Sequence, residues 1–236
     1  MEKTVIISGG TSGIGKAMLI RLLNDGFSVA TFSRHKKSCE QLEKGLKEKM
    51  DADRFMVMNA DVADEKQMAK FVKAVAKRFK SVDILINNAG FGYFEDCDKV
   101  DMKEYHELIQ TNLVGVANLV KHTVPIMKEK GSGLIINIAS MSGMRSYPKG
   151  SFYSSTKFGV MGYSDGLRKE LEEHGIKVST VCPGVVETNF FTDEWKKRRR
   201  EENRPMMDVK DVSRLISLIC TQSEHSNIQH VEILPF

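Results

Sequence analysis

Short, almost unbroken apolar runs alternate along the chain with longer stretches in which apolar residues return every three or four positions. The apolar runs predict strands over residues 4–8, 27–33, 54–59, 83–86, 133–139, 177–181 and 230–234. The longer period predicts helices from the turn at residues 9–15 to Leu23, over 38–50, from Asp64 to about Phe79, from Asp101 through about Glu129, around Tyr153 to about His174, and over 209–221. Gly26 closes the first helix. Asp64 with Gln67, and Asp101 with Glu104, have capping-box spacing. Strands that are apolar throughout need cover on both faces, so this alternation predicts an α/β fold: a doubly wound, seven-stranded parallel sheet with helices on both sides. No linker, repeat or low-complexity segment divides residues 1–236, which predicts one domain.

Composition narrows the classes of function. The 236 residues are 41% hydrophobic and 28% charged, ordinary for a globular protein. A formal charge of +4 is too small to argue for nucleic acid, and no run of 18 apolar residues predicts a membrane span. The start has no basic stretch followed by a long apolar one, so a secretory signal is not expected. Cys39, Cys97, Cys182 and Cys220 form no C-x-x-C pair, so no metal site is expected; reduced thiols fit a cytoplasmic protein.

In doubly wound sheets ligands bind beyond the carboxyl ends of the strands, and the residues with chemical potential fall there. Gly9, Gly13 and Gly15 sit at the first strand-to-helix turn, with Thr11, Ser12 and Ile14 between them. Such a turn lets backbone approach a pyrophosphate at a helix N-terminus. The 27–38 segment contains no Asp or Glu that would hold a ribose 2′-hydroxyl; it offers Ser33 and Arg34, followed by His35, Lys36 and Lys37. A guanidinium suits a 2′-phosphate, which favours NADP(H) over NAD(H). Tyr153 and Lys157 are one helical turn apart on a single face, and an ammonium there would lower the phenol's pKa toward the working range. Ser140 lies thirteen residues before Tyr153.

Together these residues resemble the short-chain dehydrogenase/reductase family in its compact branch, across nearly the whole chain and with the Rossmann fold. The glycine motif stands as Ser8-Gly9-Gly10-Thr11-Ser12-Gly13-Ile14-Gly15, with Ser8 where threonine is usual. The resemblance implies that Asp61 and Val62 contact adenine, and that Asn88, Ala89 and Gly90 after Asn87 line the cofactor cleft. It also implies that Pro183, Gly184, Val186 and Thr188 cover the nicotinamide end. Asn112, Ser140, Tyr153 and Lys157 match the catalytic tetrad. Tyr153 would protonate a carbonyl oxygen that Ser140 positions, Lys157 would hold the nicotinamide ribose and tune Tyr153, and Asn112 would anchor a water. The expected function is hydride transfer between NADP(H) and a ketone, aldehyde or secondary alcohol. A 3-oxoacyl carrier-protein reductase and a non-catalytic NADP-sensing protein are the alternatives. The C-terminal Asn227–Phe236 stretch lacks the Asp-Gly-Gly ending of many members, which weakens the carrier-protein alternative and puts the tail's usual contacts in doubt.

A substrate lid is expected over about residues 187–206. There Phe190, Phe191 and Trp195 would face Tyr93, Met141, Met144 and Tyr147 across an apolar pocket, with Arg145 as a candidate anchor for an anionic substrate. The run from Lys196 to Arg200 reads as a solvated helix face. Gly115 and Ala117 in one helix, and Gly159, Gly162 and Gly166 in another, predict close packing of those helices in a homodimer or homotetramer. The expected partner is otherwise a small carbonyl or alcohol, with neither nucleic acid nor membrane.

Overall fold

The computed structural model describes residues 3–236. Strands β1 (Thr4–Ser8), β2 (Ser28–Ser33), β3 (Phe55–Asn59), β4 (Ile84–Asn87), β5 (Gly133–Ile138), β6 (Ile176–Pro183) and β7 (His230–Ile233) form one sheet in the order β3-β2-β1-β4-β5-β6-β7. All neighbours are parallel. The helices are α1 (Gly13–Asn24), α2 (Lys36–Lys47), α3 (Glu65–Phe79), α4 (Met102–Ile109), α5 (Gly115–Lys130), α6 (Ser151–Leu171), α7 (Asp193–Glu201) and α8 (Val209–Cys220). The expected single-domain α/β architecture is the one observed.

Alternate side chains of β1 to β6 enter different cores, which is why those strands are so apolar, whereas edge strand β7 leaves His230 and Glu232 exposed. Val5 and Ile7 of β1 pack with Met18, Leu19 and Leu22 of α1 and with Ile216 and Ile219 of α8. Ile6 between them faces the other way, into a core built with Phe71 and Val75 of α3, Leu119 of α5 and Leu167 of α6. From β1 the chain winds outward to β2 and β3, then returns to place β4 on the other side of β1. The reversal leaves a crevice between the loops that follow β1 and β4. Among the described residues, no helix is long and apolar enough to cross a membrane.

The helix expected from Asp101 to Glu129 is not continuous. A five-residue π-helical segment, Gln110–Val114, joins α4 to α5 and carries Asn112. Such bulges re-aim a side chain within a helix, and no period in the sequence announces them. Neither expected capping box closes. Asp64 accepts the Gln67 N–H at 3.0 Å, but Gln67 Oε1 takes the Asp61 N–H rather than that of Asp64, while its Nε2 donates to the Asp64 carboxylate at 2.9 Å. Asp101 accepts from the Lys103 N–H, while its own N–H donates to the Tyr93 hydroxyl at 3.0 Å.

The basic run also differs from expectation. Lys197, Arg198 and Arg200 are exposed, but Lys196 and Arg199 are buried. Lys196 pairs with Asp193 at 2.6 Å. Arg199 donates to the Pro205 carbonyl at 3.0 and 3.2 Å and lies 5.4 Å from the Trp195 ring centroid. Part of the run therefore holds the 187–206 segment together from within.

Candidate active site

The loops leaving the carboxyl ends of the first six strands bring the singled-out residues to one edge of the sheet. After β1, Gly9 has φ +70° and Gly13 φ +50°, a backbone region that favours glycine. A Cβ on Gly15 would stand 2.2 Å from the Gly9 carbonyl oxygen and 2.6 Å from Asn88 Nδ2. Only glycine allows this approach. Ser12 starts α1 without a side-chain cap, so the first turn's N–H groups keep their capacity to donate. Thr31 steadies the turn: its hydroxyl donates to the Ile7 carbonyl at 2.7 Å and accepts the Gly10 N–H at 3.0 Å. Sequence reasoning missed Thr31, since a threonine inside an apolar strand carries no distinguishing signal.

Ser8 and Asn88 tie the loops after β1 and β4 together. The Ser8 hydroxyl accepts the N–H groups of Asn88 and Ala89, each at 2.9 Å, and Asn88 Nδ2 donates to the Ser8 carbonyl at 3.0 Å. A serine is enough for this clamp, which accounts for its standing where threonine is usual. Deeper in the sheet, Asn87 Nδ2 donates to Asn137 Oδ1 and Asn137 Nδ2 to Ser164 Oγ, both at 2.8 Å. This buried relay fixes β4 and β5 against α6; Asn137 and Ser164 were also missed.

Ser33 ends β2 and Arg34 follows it, exposed and with its guanidinium 5.9 Å from the Phe91 ring centroid. Asp61 accepts the Ala63 N–H at 3.0 Å in the turn after β3, and the Val62 carbonyl accepts from Asn118 Nδ2 of α5 at 3.0 Å. After β6, the Gly184 N–H donates to the Ile233 carbonyl at 2.8 Å. A Cβ on Gly184 would stand 2.9 Å from Pro235 Cδ. The short tail therefore still braces the Pro183 and Gly184 turn, against the doubt raised by its sequence. Thr188 lies beside Gly13, closing the ring of loops.

Ser140, Tyr153, Lys157 and Asn112 converge beside this ring. Asn112, buried in the π segment, accepts the Phe91 N–H at 3.1 Å and donates to the Phe91 carbonyl at 2.9 Å and to Thr156 Oγ1 at 3.2 Å. The amide thus serves a loop rather than its own helix. A Cβ on Gly90 would stand 3.0 Å from Asn112 Oδ1 and 3.7 Å from Lys157 Nζ, so those two groups flank the same glycine. Lys157 Nζ donates to the Ile138 carbonyl at 2.9 Å and lies 5.8 Å from the Tyr153 ring centroid. Ser140 Oγ accepts the Ser142 N–H at 3.1 Å and lies against the Tyr153 phenol.

Burial dominates the electrostatics here. It pushes the Tyr153 phenol well above its ordinary value, with the Ser140 hydroxyl pulling the other way. This corrects the expectation of a phenol lowered by Lys157. Burial acts on Lys157 instead, lowering its ammonium from 10.5 to about 8. A charge is disfavoured on both groups, so the pair holds the phenol protonated and the amine near neutrality in its titration.

Rings from the loop after β4 and from the 187–206 segment pack around Tyr153. Phe190 lies 5.6 Å and Phe94 5.4 Å from its ring centroid, both edge-on. Phe191 meets Phe190 at 5.0 Å and stacks on Trp195 at 4.0 Å. Tyr147 joins at 6.2 Å from Phe94, and its hydroxyl accepts from Ser142 Oγ at 3.4 Å. The Tyr93 hydroxyl accepts the Asp101 N–H at the start of α4, and the neighbouring Phe94 supplies the ring that meets Tyr153. Met144 and Arg145 are exposed, while Met141 packs on the α3–α5–α6 core.

Residues 3–199 match the family described as short chain dehydrogenase. Sulfoacetaldehyde reductase 2 of Chromohalobacter salexigens is 29% identical over 242 aligned residues, covering 100% of this chain and 95% of the relative. An uncharacterised oxidoreductase of Staphylococcus aureus strain MW2 is also 29% identical, covering 99% and 97%. Among solved structures, a variant of the actinorhodin polyketide ketoreductase with NADPH superposes with a TM-score of 0.90 at 27% identity, covering 99% and 96% of the two chains. ElxO with NADP bound gives 0.88 at 25% identity, covering 99% and 98%.

Proposed function

The chain belongs to the short-chain dehydrogenase family, and from that premise we propose that this oxidoreductase uses NADP(H) to interconvert a ketone or aldehyde with its alcohol. The observation that carries the proposal is the meeting of Ser140, Tyr153 and Lys157 beside Gly90, at the mouth of the crevice between β1 and β4.

The cradle suits a dinucleotide. The glycine turn and the uncapped first turn of α1 would take the pyrophosphate. Ser33 and Arg34 would take the 2′-phosphate, and Asp61 and Val62 would border the adenine. Asn88, Ala89, Gly90 and Lys157 would line the nicotinamide ribose. Pro183, Gly184, Val186 and Thr188 would lie at the nicotinamide end. When bound, NADP(H) supplies or takes up the hydride. The chain's own residues do the rest. Ser140 donates a hydrogen bond that positions the carbonyl oxygen, and Tyr153, kept protonated by burial, gives that oxygen its proton. Below about pH 8 the Lys157 ammonium stabilises the phenolate left behind. Asn112 sets the Phe91 backbone and, through Thr156, the adjacent turn of α6. Residues 187–206 act as the substrate lid.

Arg34→Ala tests the cofactor assignment. Loss of a charge-assisted hydrogen bond weakens NADPH binding about ten- to a hundredfold and leaves NADH nearly unchanged. Equal losses for both cofactors in a fluorescence titration would remove Arg34 from this role.

The assembly belongs to the same reading: a cytoplasmic homo-oligomer, dimer or tetramer, joined through α5 and α6. Gly115 and Gly159 already serve contacts within the chain, to Val62 and Leu113. Cβ atoms on Gly162 and Gly166 would meet nothing within 4 Å, and Phe158 is 47% exposed. This α6 surface is therefore the part left for a second copy. Sedimentation at micromolar concentration is expected to give a dimer or larger; a monomer refutes the assembly.

A further inference from the structure

We propose that the substrate is an uncharged aldehyde or ketone carrying an aromatic or similarly bulky apolar group, seated against Phe94 and the lid rings; this rests on the oxidoreductase reading above. The rings around Tyr153 form an aromatic cluster contributed by three separate segments: Phe94 from the loop after β4, Tyr147 from the loop before α6, and Phe190 and Phe191 from the lid. Phe190 also crosses the backbone at Gly92, where a Cβ would stand 2.6 Å from its Cζ. The buried phenol is thus bordered by ring edges and faces. Such walls favour another ring and leave a desolvated anion without a partner.

Four nearby cations, Arg199, Lys149, Lys196 and Arg200, are committed elsewhere. Arg199 lies over Trp195 and is held by the Pro205 carbonyl. Lys149 pairs with Asp96 at 3.2 Å and Glu95 at 3.9 Å. Lys196 pairs with Asp193, and Arg200 with Glu187. Arg145, the anchor weighed from sequence, is exposed rather than set among the rings. Sulfoacetaldehyde, the compound for which one relative is named, is an anion and makes the contrasting probe.

Two aldehydes that differ only in the group beside the reacting unit make the test: phenylacetaldehyde and sulfoacetaldehyde, with acetaldehyde as the unsubstituted reference. Reduction adds a hydride from NADPH to the carbonyl carbon and a proton to its oxygen, leaving the alcohol and NADP⁺. The expected kcat/KM for phenylacetaldehyde exceeds that for sulfoacetaldehyde at least ~100-fold. In Phe94→Ala the ratio of phenylacetaldehyde to acetaldehyde narrows about tenfold.

Binding without turnover gives a second readout, because the chain has one tryptophan and Trp195 stacks on Phe191. In the protein with NADP⁺, the product 2-phenylethanol shifts its fluorescence saturably and isethionate does not. Sulfoacetaldehyde reduced as well as or better than phenylacetaldehyde, or isethionate alone shifting Trp195, overturns the inference and leaves the oxidoreductase reading standing. No turnover of any carbonyl compound with NADPH bound removes that reading and the inference with it.

Discussion

Tyr153→Phe is expected to lower turnover at least ~100-fold, the span usual for a positioned acid, while NADPH affinity stays near that of the wild type. The substitution keeps the ring that packs against Phe94 and Phe190 and removes only the hydroxyl beside Ser140. Loss of fold is therefore not the expected cause of lost rate, and thermal melts of the variant should match the wild type closely. Ser140→Ala lowers the rate as well, since the oxygen then has one donor in place of two. The buried phenol keeps its proton across the neutral range, so the carbonyl-reducing rate is flat there. It falls as pH rises through about 8, where Lys157 loses the charge that stabilises the departing phenolate. Near-normal turnover in Tyr153→Phe sinks the mechanism whatever the pH profile shows.

Lys157→Met separates what the side chain does for chemistry from what it costs the fold. Turnover is expected to drop on the order of 100-fold or more, and NADPH affinity falls with it. Stability moves the opposite way. An ammonium held at about 8 against 10.5 is disfavoured in the folded state, so folding carries a penalty at pH 7 of about 3 kcal/mol. The sign follows from proton counting: between about 8 and 10.5 the unfolded chain binds more protons, and stability rises with pH. The Met variant escapes the penalty, less whatever the lost bond to the Ile138 carbonyl contributed. Its advantage in chemical denaturation is largest at pH 7 and shrinks toward pH 10. A variant less stable than the wild type at pH 7 would show that the amine is held by favourable interactions instead.

The sheet was legible because its inner strands are buried on both faces and so had to be continuous apolar runs, while edge strand β7 is a short alternating stretch. The glycine turn, Arg34 and the residues around Tyr153 were legible because their chemistry sits at the ends of those runs. What escaped depended on atoms far apart in sequence. The π segment at Gln110–Val114 exists to let Asn112 grip Phe91, and a helical period through it looks uninterrupted. The capping box at Asp101 fails because Tyr93 supplies a hydroxyl that no local pattern foretells. Phe94 lay in a loop without periodicity. Lys196 and Arg199 looked solvated because the groups that bury and hold them, Trp195 and the Pro205 carbonyl among them, assemble only when the lid folds. For Tyr153, the spacing to Lys157 was visible, but the burial that decides the phenol's acidity was not.

The base of the lid bears on how such an enzyme is retuned. Val186 and Met207 form a parallel bridge, with the Glu187 N–H donating to the Met207 carbonyl and the Met207 N–H to the Val185 carbonyl, each at 2.9 Å. The chain thus leaves and re-enters the core at one latch. Everything between is an excursion whose two ends are already paired, and doubling the length of such a loop costs only ~0.6 kcal/mol of closure entropy. Residues 189–206, beyond the Thr188 that touches Gly13, form a cassette: exchanged for a shorter, longer or differently charged segment, they would, on the function proposed above, change which molecules reach Tyr153 while the sheet and the proposed dinucleotide cradle stay as they are.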